Sequence, residues 1–257
     1  MIGTGIGIPY KHGGFRNQYS FLFDGVNERI NINAVGTALA ATTTGTWSAW
    51  VKPVDATPAN YVVFISFGNG DSTVLLQLSI DITTGLFSGF GLNGGVTKWQ
   101  VRCSSAPFSD NIWTHIALVQ DGVSPVLYVN GIAPAQTFPT SIDKTIWFNN
   151  LVLNNGRIGC RFYSVAEADG ALPLNGNIDE VGFFNRNLSA AQITELYNNG
   201  KPKDLKKHSA SGNLVSYFRM GDGDTFDGTN WTLFDKKGTN NGTSVNMEQG
   251  DRVAAVP

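Results

Sequence analysis

Between Tyr19 and Phe184 the chain is cut into short apolar segments by glycine-containing turns, and this punctuation limits what it can fold into. Asp24-Gly25, Asn69-Gly70, Asn93-Gly94, Asp121-Gly122 and Asn130-Gly131 are dipeptides that accept the positive φ of tight hairpin turns. Strand-like runs lie between and beyond them at 19–23, 28–33, 47–52, 61–67, 74–80, 87–92, 98–103, 113–120, 126–129, 157–163 and 177–184. Ile30 and Ile32 alternate with polar neighbours, 61–67 is β-branched and aromatic, and Pro53 closes the run before it. About a dozen short strands at regular spacing predict an all-β sandwich or barrel.

One helix is specified against this background. Ser189 and Gln192 form a capping-box pair, with Leu188 and Ile193 placed as a hydrophobic staple. Ile193, Leu196 and Tyr197 share one face. Asn198-Asn199-Gly200 ends the helix, with Gly200 as the expected left-handed residue, and Pro202 stops continuation. The expectation is one short helix near 190–198.

Composition excludes several classes of function. Charged residues make up 15% of the 257, net charge is −2, and the sole Lys-rich stretch, 201–207, reads as a solvated linker. A nucleic-acid partner would call for a basic stripe, which is absent. No apolar run is long enough to span a bilayer, so no membrane partner is expected. Cys103 and Cys160 sit in strand-like runs and read as small buried thiols, with a single bridge as the alternative. Residues 1–17 are Gly-rich and read as an N-terminal arm, whose Ile6, Ile8, Pro9 and Tyr10 supply an apolar docking element, with a free, undocked terminus as the alternative. The segment from Met1 to Pro9 lacks the basic start and continuous apolar stretch of a signal peptide.

The order of segments resembles the laminin G-like/concanavalin A-like jelly rolls. Ser20-Phe21-Leu22-Phe23-Asp24-Gly25, Thr46-Trp47-Ser48-Ala49-Trp50-Val51-Lys52-Pro53 and Trp113-Thr114-His115-Ile116-Ala117-Leu118-Val119 carry the likeness. So do Leu127-Tyr128-Val129-Asn130-Gly131, Ile158-Gly159, Gly176-Asn177-Ile178-Asp179-Glu180-Val181 and the helix ending at Tyr197-Asn198-Asn199-Gly200. The resemblance implies a sandwich of two antiparallel sheets over 18–257. In this family a segment like Leu214-Val215-Ser216-Tyr217-Phe218-Arg219-Met220 often opens the domain, whereas here it comes last. Either 213–257 completes the sandwich as a permuted strand with loops, or it begins a neighbouring unit. A Gly-Ile-rich start with Gly221-Asp222-Gly223-Asp224 near the end is similar in texture to structural proteins of tailed phages.

The site expectations are these. Related jelly rolls include glucanases, which need two carboxylates about 5–9 Å apart. Their catalytic strand places acidic residues at alternating positions, but Asp179 and Glu180 are adjacent and would face opposite ways on a strand. No catalysis is expected. The resemblance implies a structural Ca²⁺ held by Asp179, Asp24 and nearby carbonyls, and Asp179 hydrogen-bonded to loop amides is the competing reading. The run 221–224 with Asp227 lacks the spacing of an EF-hand loop and reads as an exposed turn. His115 reads as a hydrogen-bonded strand histidine. Trp99 and Trp147, each flanked by polar or loop residues, are the expected exposed pair on which a sugar would stack, with core packing as the competing reading for the tryptophans.

Two functions follow. The first is a non-enzymatic virion component, a capsid decoration or tail fibre, with other virion proteins as partners, homo-oligomeric and docked through its arm. The alternative is a carbohydrate-binding module or adhesin at an extracellular surface, with a cell-surface glycan as ligand.

Overall fold

The computed structural model describes residues 15–163 and 169–257. The chain runs through β1 (Ser20–Asp24), β2 (Arg29–Asn31), helix α1 (Asn33–Leu39), β3 (Gly45–Pro53), β4 (Val62–Gly68) and β5 (Val74–Ile80). It continues with β6 (Phe87–Asn93), β7 (Val96–Cys103), β8 (Thr114–Gln120), β9 (Pro125–Val129), β10 (Gln136–Ser141), β11 (Asn155–Ile158) and β12 (Asn175–Phe184). Helix α2 (Ala190–Tyr197) follows, then β13 (Leu214–Phe218), β14 (Thr225–Phe226), β15 (Trp231–Leu233), β16 (Gly242–Val245) and β17 (Arg252–Val253).

Among the described residues these strands form two antiparallel sheets. One has seven strands, in the order β17-β1-β12-β3-β8-β9, with β13 also paired to β12. The other has ten, in the order β10-β7-β6-β5-β4-β11-β2-β16-β15-β14. This is the concanavalin A-like jelly roll. The turn chemistry explains the hairpins locally. Between β6 and β7, Asn93 pairs with Val96 across a two-residue turn, Gly94 and Gly95, both at positive φ. Only residues without a Cβ penalty close such a turn cheaply.

The sheets are welded by aromatic side chains. Trp47 lies 5.2 Å from Phe67, 5.4 Å from Trp147 and 6.1 Å from Phe183, ring centre to ring centre. Each fully buried side chain of this kind contributes about 1.5–3 kcal/mol by leaving water. Residues from 214 onward enter both sheets. β13 pairs with the second half of β12, where β1 has left off, while β17 pairs with β1 and β16 with β2. Phe218, Met220, Trp231, Leu233 and Met247 join the same core.

Helix α2 starts as its sequence dictates. Gln192 N donates to Ser189 Oγ at 3.3 Å, and Ser189 N donates to Gln192 Oε1 at 3.0 Å. It ends earlier than expected, because Asn198 and Asn199 already adopt left-handed φ of +47° and +54° ahead of Gly200. Helix α1 was not anticipated. It has no side-chain cap, and burial of Val35, Gly36 and Leu39 holds it, so tertiary packing rather than local propensity makes it helical. Cys103 and Cys160 are free and buried, and burial raises both thiols to about 12. No described helix is long and apolar enough to cross a membrane.

Candidate functional site

The two sheets differ in what covers their outer faces. On the seven-stranded sheet, Leu188, Ile193, Leu196 and Leu205 close over Ala117, Val119 and Phe184. Beneath this cover His115 Nε2 lies 2.9 Å from Ser48 Oγ, and its ring packs against Trp50 and Tyr197. Burial lowers its pKa to about 3, so the ring stays neutral. The Ser–His contact is sealed from solvent and has no route to a substrate.

The ten-stranded sheet keeps a depression in its outer face. On β5, Leu76, Leu78 and Ile80 enter the core, so Gln77, Ser79 and the following Asp81 face outward by strand alternation. Register then sets the neighbours. Ser88 of β6 lies beside Ser79 and pairs with Arg102 of β7, while Phe90 lies beside Gln77 and pairs with Gln100. Tyr61, before β4, and Arg161, after β11, complete the walls. The resulting cavity measures about 240 Å³.

Its lining is polar. Asp81 is 2% exposed, and its carboxylate is held by Arg102. Arg102 Nε approaches Oδ2 to 2.5 Å, but off the N–H axis, so the contact is an ion pair without an aligned hydrogen bond. Gln77 Oε1 is buried and unmet. Desolvation raises the Asp81 pKa, against the opposing pull of Arg102 and Ser88. Gln100 Nε2 donates to Ser88 Oγ at 3.2 Å, fixing two of the remaining polar groups. An unmet buried acceptor costs about 1–3 kcal/mol, and native interiors hold few of them. The cavity thus sets the Asp81–Arg102 pair and the unmet Gln77 Oε1 beside the aromatic side chains of Tyr61 and Phe90.

The residues singled out from sequence lie elsewhere. Trp99 and Trp147 are corrected from exposed to buried, at 0% and 1% exposure. The Trp99 ring packs over Gly91 of the neighbouring strand and donates its Nε1 to Ile146 O at 3.1 Å. Trp147 packs tilted against Trp47 and edge-to-face against Phe148 inside the sandwich. Neither offers a face to a sugar.

Asp24 and Asp179 do not make one site. Asp24 is paired with Asn175 across β1 and β12, four residues before Asp179, or roughly 13 Å along the strand. Asp179 is fully buried, with Oδ2 accepting from Asn17 Nδ2 at 2.6 Å and Oδ1 from Glu180 N at 2.8 Å. Burial, then the neighbouring Glu180, pushes its pKa well up. These residues do not fit a Ca²⁺ shared between Asp24 and Asp179. Among the described residues no group of three or more His, Cys, Asp or Glu is placed to hold a metal.

The expected opposition of Asp179 and Glu180 also fails. A register shift between Asp179 and Gly182, with Glu180 at φ +51°, breaks the alternation there. Both carboxylates join one network. Tyr217 Oη and Arg219 reach Glu180, and Arg219 Nη2 reaches Asp222 at 2.9 Å. The same network pins the strap 15–18. Gln18 N donates to Asp222 Oδ2 at 3.0 Å, Arg219 donates to Arg16 O, and its guanidinium covers the Phe15 ring. Asp222 and Asp224 are buried, not an exposed turn, and Asp224 accepts from Gly221 N, Phe234 N and Lys236 Nζ. Ile6, Ile8, Pro9 and Tyr10 lie outside the described residues.

The class this architecture defines is a lectin-like jelly roll with a polar cavity on one open sheet. The chain belongs to the Laminin_G_3 family of the concanavalin A-like lectin/glucanases superfamily, whose model matches residues 24–194. Among curated proteins nothing matches the sequence. Among solved structures it is similar to the CBM40 of the Ruminococcus gnavus IT-sialidase, with a TM-score of 0.56 and 16% identity over 69% of this chain and 97% of that one. The same module is also known bound to α2,3-sialyllactose. A Bacteroides ovatus protein assigned to carbohydrate binding aligns with a TM-score of 0.59 and 18% identity, covering 90% of this chain and 58% of that one. At these identities the likenesses establish the fold.

Proposed function

We propose that the protein is a glycan-binding module whose site is the cavity around Asp81 on the outer face of the ten-stranded sheet. The observation that carries this reading is the convergence of Gln77, Ser79, Asp81, Ser88 and Gln100 on one cavity, beside Phe90 and Tyr61. A sugar suits such a lining, because its vicinal hydroxyls exchange hydrogen bonds and its C–H face packs on aromatic rings. Strand register holds these side chains pre-positioned. The similarity to a CBM40 supports the same reading. It favours glycan binding over a virion role. The test is an array carrying neutral and sialylated glycans, probed with the wild type and with Asp81→Ala. The expected result is binding of at least one glycan by the wild type and its loss in the variant, which stays folded by circular dichroism. A wild type that captures no glycan, or capture indifferent to Asp81→Ala, refutes it.

A further inference from the structure

Tyr61 belongs to two depressions at once. It walls the cavity around Asp81, and it also lines a cleft of about 510 Å³ between the segment before β4 and the segment before β12. The cleft has an apolar lining from Pro58, Val62, Leu172 and Pro173, with Asn60 and Asn175 as polar lips. Its two walls are tied by backbone hydrogen bonds, Val63 N to Leu172 O at 3.1 Å and Val54 N to Asn175 O at 3.0 Å. The shape is therefore built in rather than formed on binding. Leu172 sits at φ +53°, a region that L residues with a branched side chain seldom enter. Strained backbone of this kind persists where the surroundings over-determine it, often beside binding sites.

The geometry points to an extended site, in which an oligosaccharide of at least two sugar units runs from the Asp81 cavity past Tyr61 into the Pro58–Pro173 cleft. This rests on the glycan-binding reading above. Volume is the first argument. Ligand pockets that bury most of a drug-sized molecule occupy about 300–1,000 Å³; the 240 Å³ cavity alone falls short of that range, and with the adjoining cleft it falls within it. Chemistry is the second. The cavity presents amide, hydroxyl and carboxylate groups that anchor one sugar through its hydroxyls. The cleft presents pyrrolidine and aliphatic faces with amide lips, suited to the C–H face and outer hydroxyls of the next unit. Tyr61, half-buried between them, is placed to contact both sugars at the glycosidic link.

Calorimetry with graded ligands tests this. The probes are galactose, lactose and lacto-N-tetraose, glucose, cellobiose and cellotetraose, and sialic acid with 3′-sialyllactose. Ala59→Trp fills the cleft from an exposed loop position and leaves every cavity residue in place. The expected result is at least a tenfold tighter Kd for the longer member of one series than for its monosaccharide. Ala59→Trp should abolish that advantage while leaving the monosaccharide Kd unchanged. Equal affinity across every series, or a length advantage that survives Ala59→Trp, overturns the extended site but leaves glycan binding standing. No binding in any series overturns both.

Discussion

Replacing Gln77 with methionine should make the protein more stable and less able to bind. Gln77 is 5% exposed, in the middle of β5, and its Oε1 is buried without a donor. Such an atom loses its hydration and gains nothing in return, a penalty of about 1–3 kcal/mol. Methionine is unbranched and close in volume, so it occupies the same space with little packing cost. Its thioether introduces no strong polar group. Taking the lower part of the range to allow for imperfect packing, Gln77→Met should gain about 1 kcal/mol. For a chain of this size that corresponds to a rise of roughly 2–4 °C in Tm. Differential scanning calorimetry reads the gain, and glycan titration reads the loss. Removing a hydrogen-bonding acceptor from a buried site costs about 1–3 kcal/mol of binding, so affinity should fall by about 5- to 150-fold. A variant that melts lower than the wild type would show that Gln77 is satisfied in the folded protein. A variant that melts higher and binds equally well would show that the orphaned acceptor serves no ligand. Either outcome removes the physical basis for placing the site here.

Two further predictions concern the frame. In Gly91→Ala the new Cβ would stand 2.4 Å from Cε2 and Nε1 of Trp99, a ring that is fully buried and tethered to Ile146 O; overpacking of about 1–3 kcal/mol should lower Tm by several degrees, and an unchanged Tm would contradict the packing. Burial, as the first cause, raises Glu180 to about 7 and Glu28 to about 8. Carboxylates raised in the folded state contribute stability that is complete below their ordinary pKa near 4.5 and lost as pH rises through 7–8, so Tm should fall between pH 5 and pH 8 by an amount reflecting a few kcal/mol in sum. Glu180→Gln should flatten part of that slope, and a Tm that rises across this interval would refute the assignment.

The fold was legible because antiparallel sheets write themselves as runs and turns. The expected strand 74–80 is β5, and 113–120 contains β8 (Thr114–Gln120). What escaped were elements whose stability is tertiary. Helix α1 has no cap, and its seven residues hold their shape by burying Val35 and Leu39 against the sandwich. Strand β10, with residues half-buried and exposed in turn, lies at a sheet edge where β-propensity counts for little.

The site was misread for a reason that the strand period itself exposes. Trp99 was expected at the surface because Lys98 and Gln100 flank it. On a strand, however, successive side chains point to opposite faces, so polar neighbours on both sides mean that the residue between them points away from water. The same rule read correctly finds the cavity. In Leu76-Gln77-Leu78-Ser79-Ile80-Asp81 the apolar residues mark the core face and the three polar residues mark a single outer stripe. Ser88 and Phe90, then Gln100 and Arg102, repeat the stride on the next two strands, and antiparallel register brings the three stripes together. The sequence thus contains the stripe but not its burial. That Gln77, Ser79 and Asp81 are 5%, 2% and 2% exposed depends on Tyr61 and Arg161, which arrive from segments far apart in the chain. Outward-facing polar groups on an edgeless central strand are ordinary when water reaches them. Walled in, and with Gln77 Oε1 left without a donor, they carry a standing cost to stability, which a ligand bringing hydroxyl donors would offset.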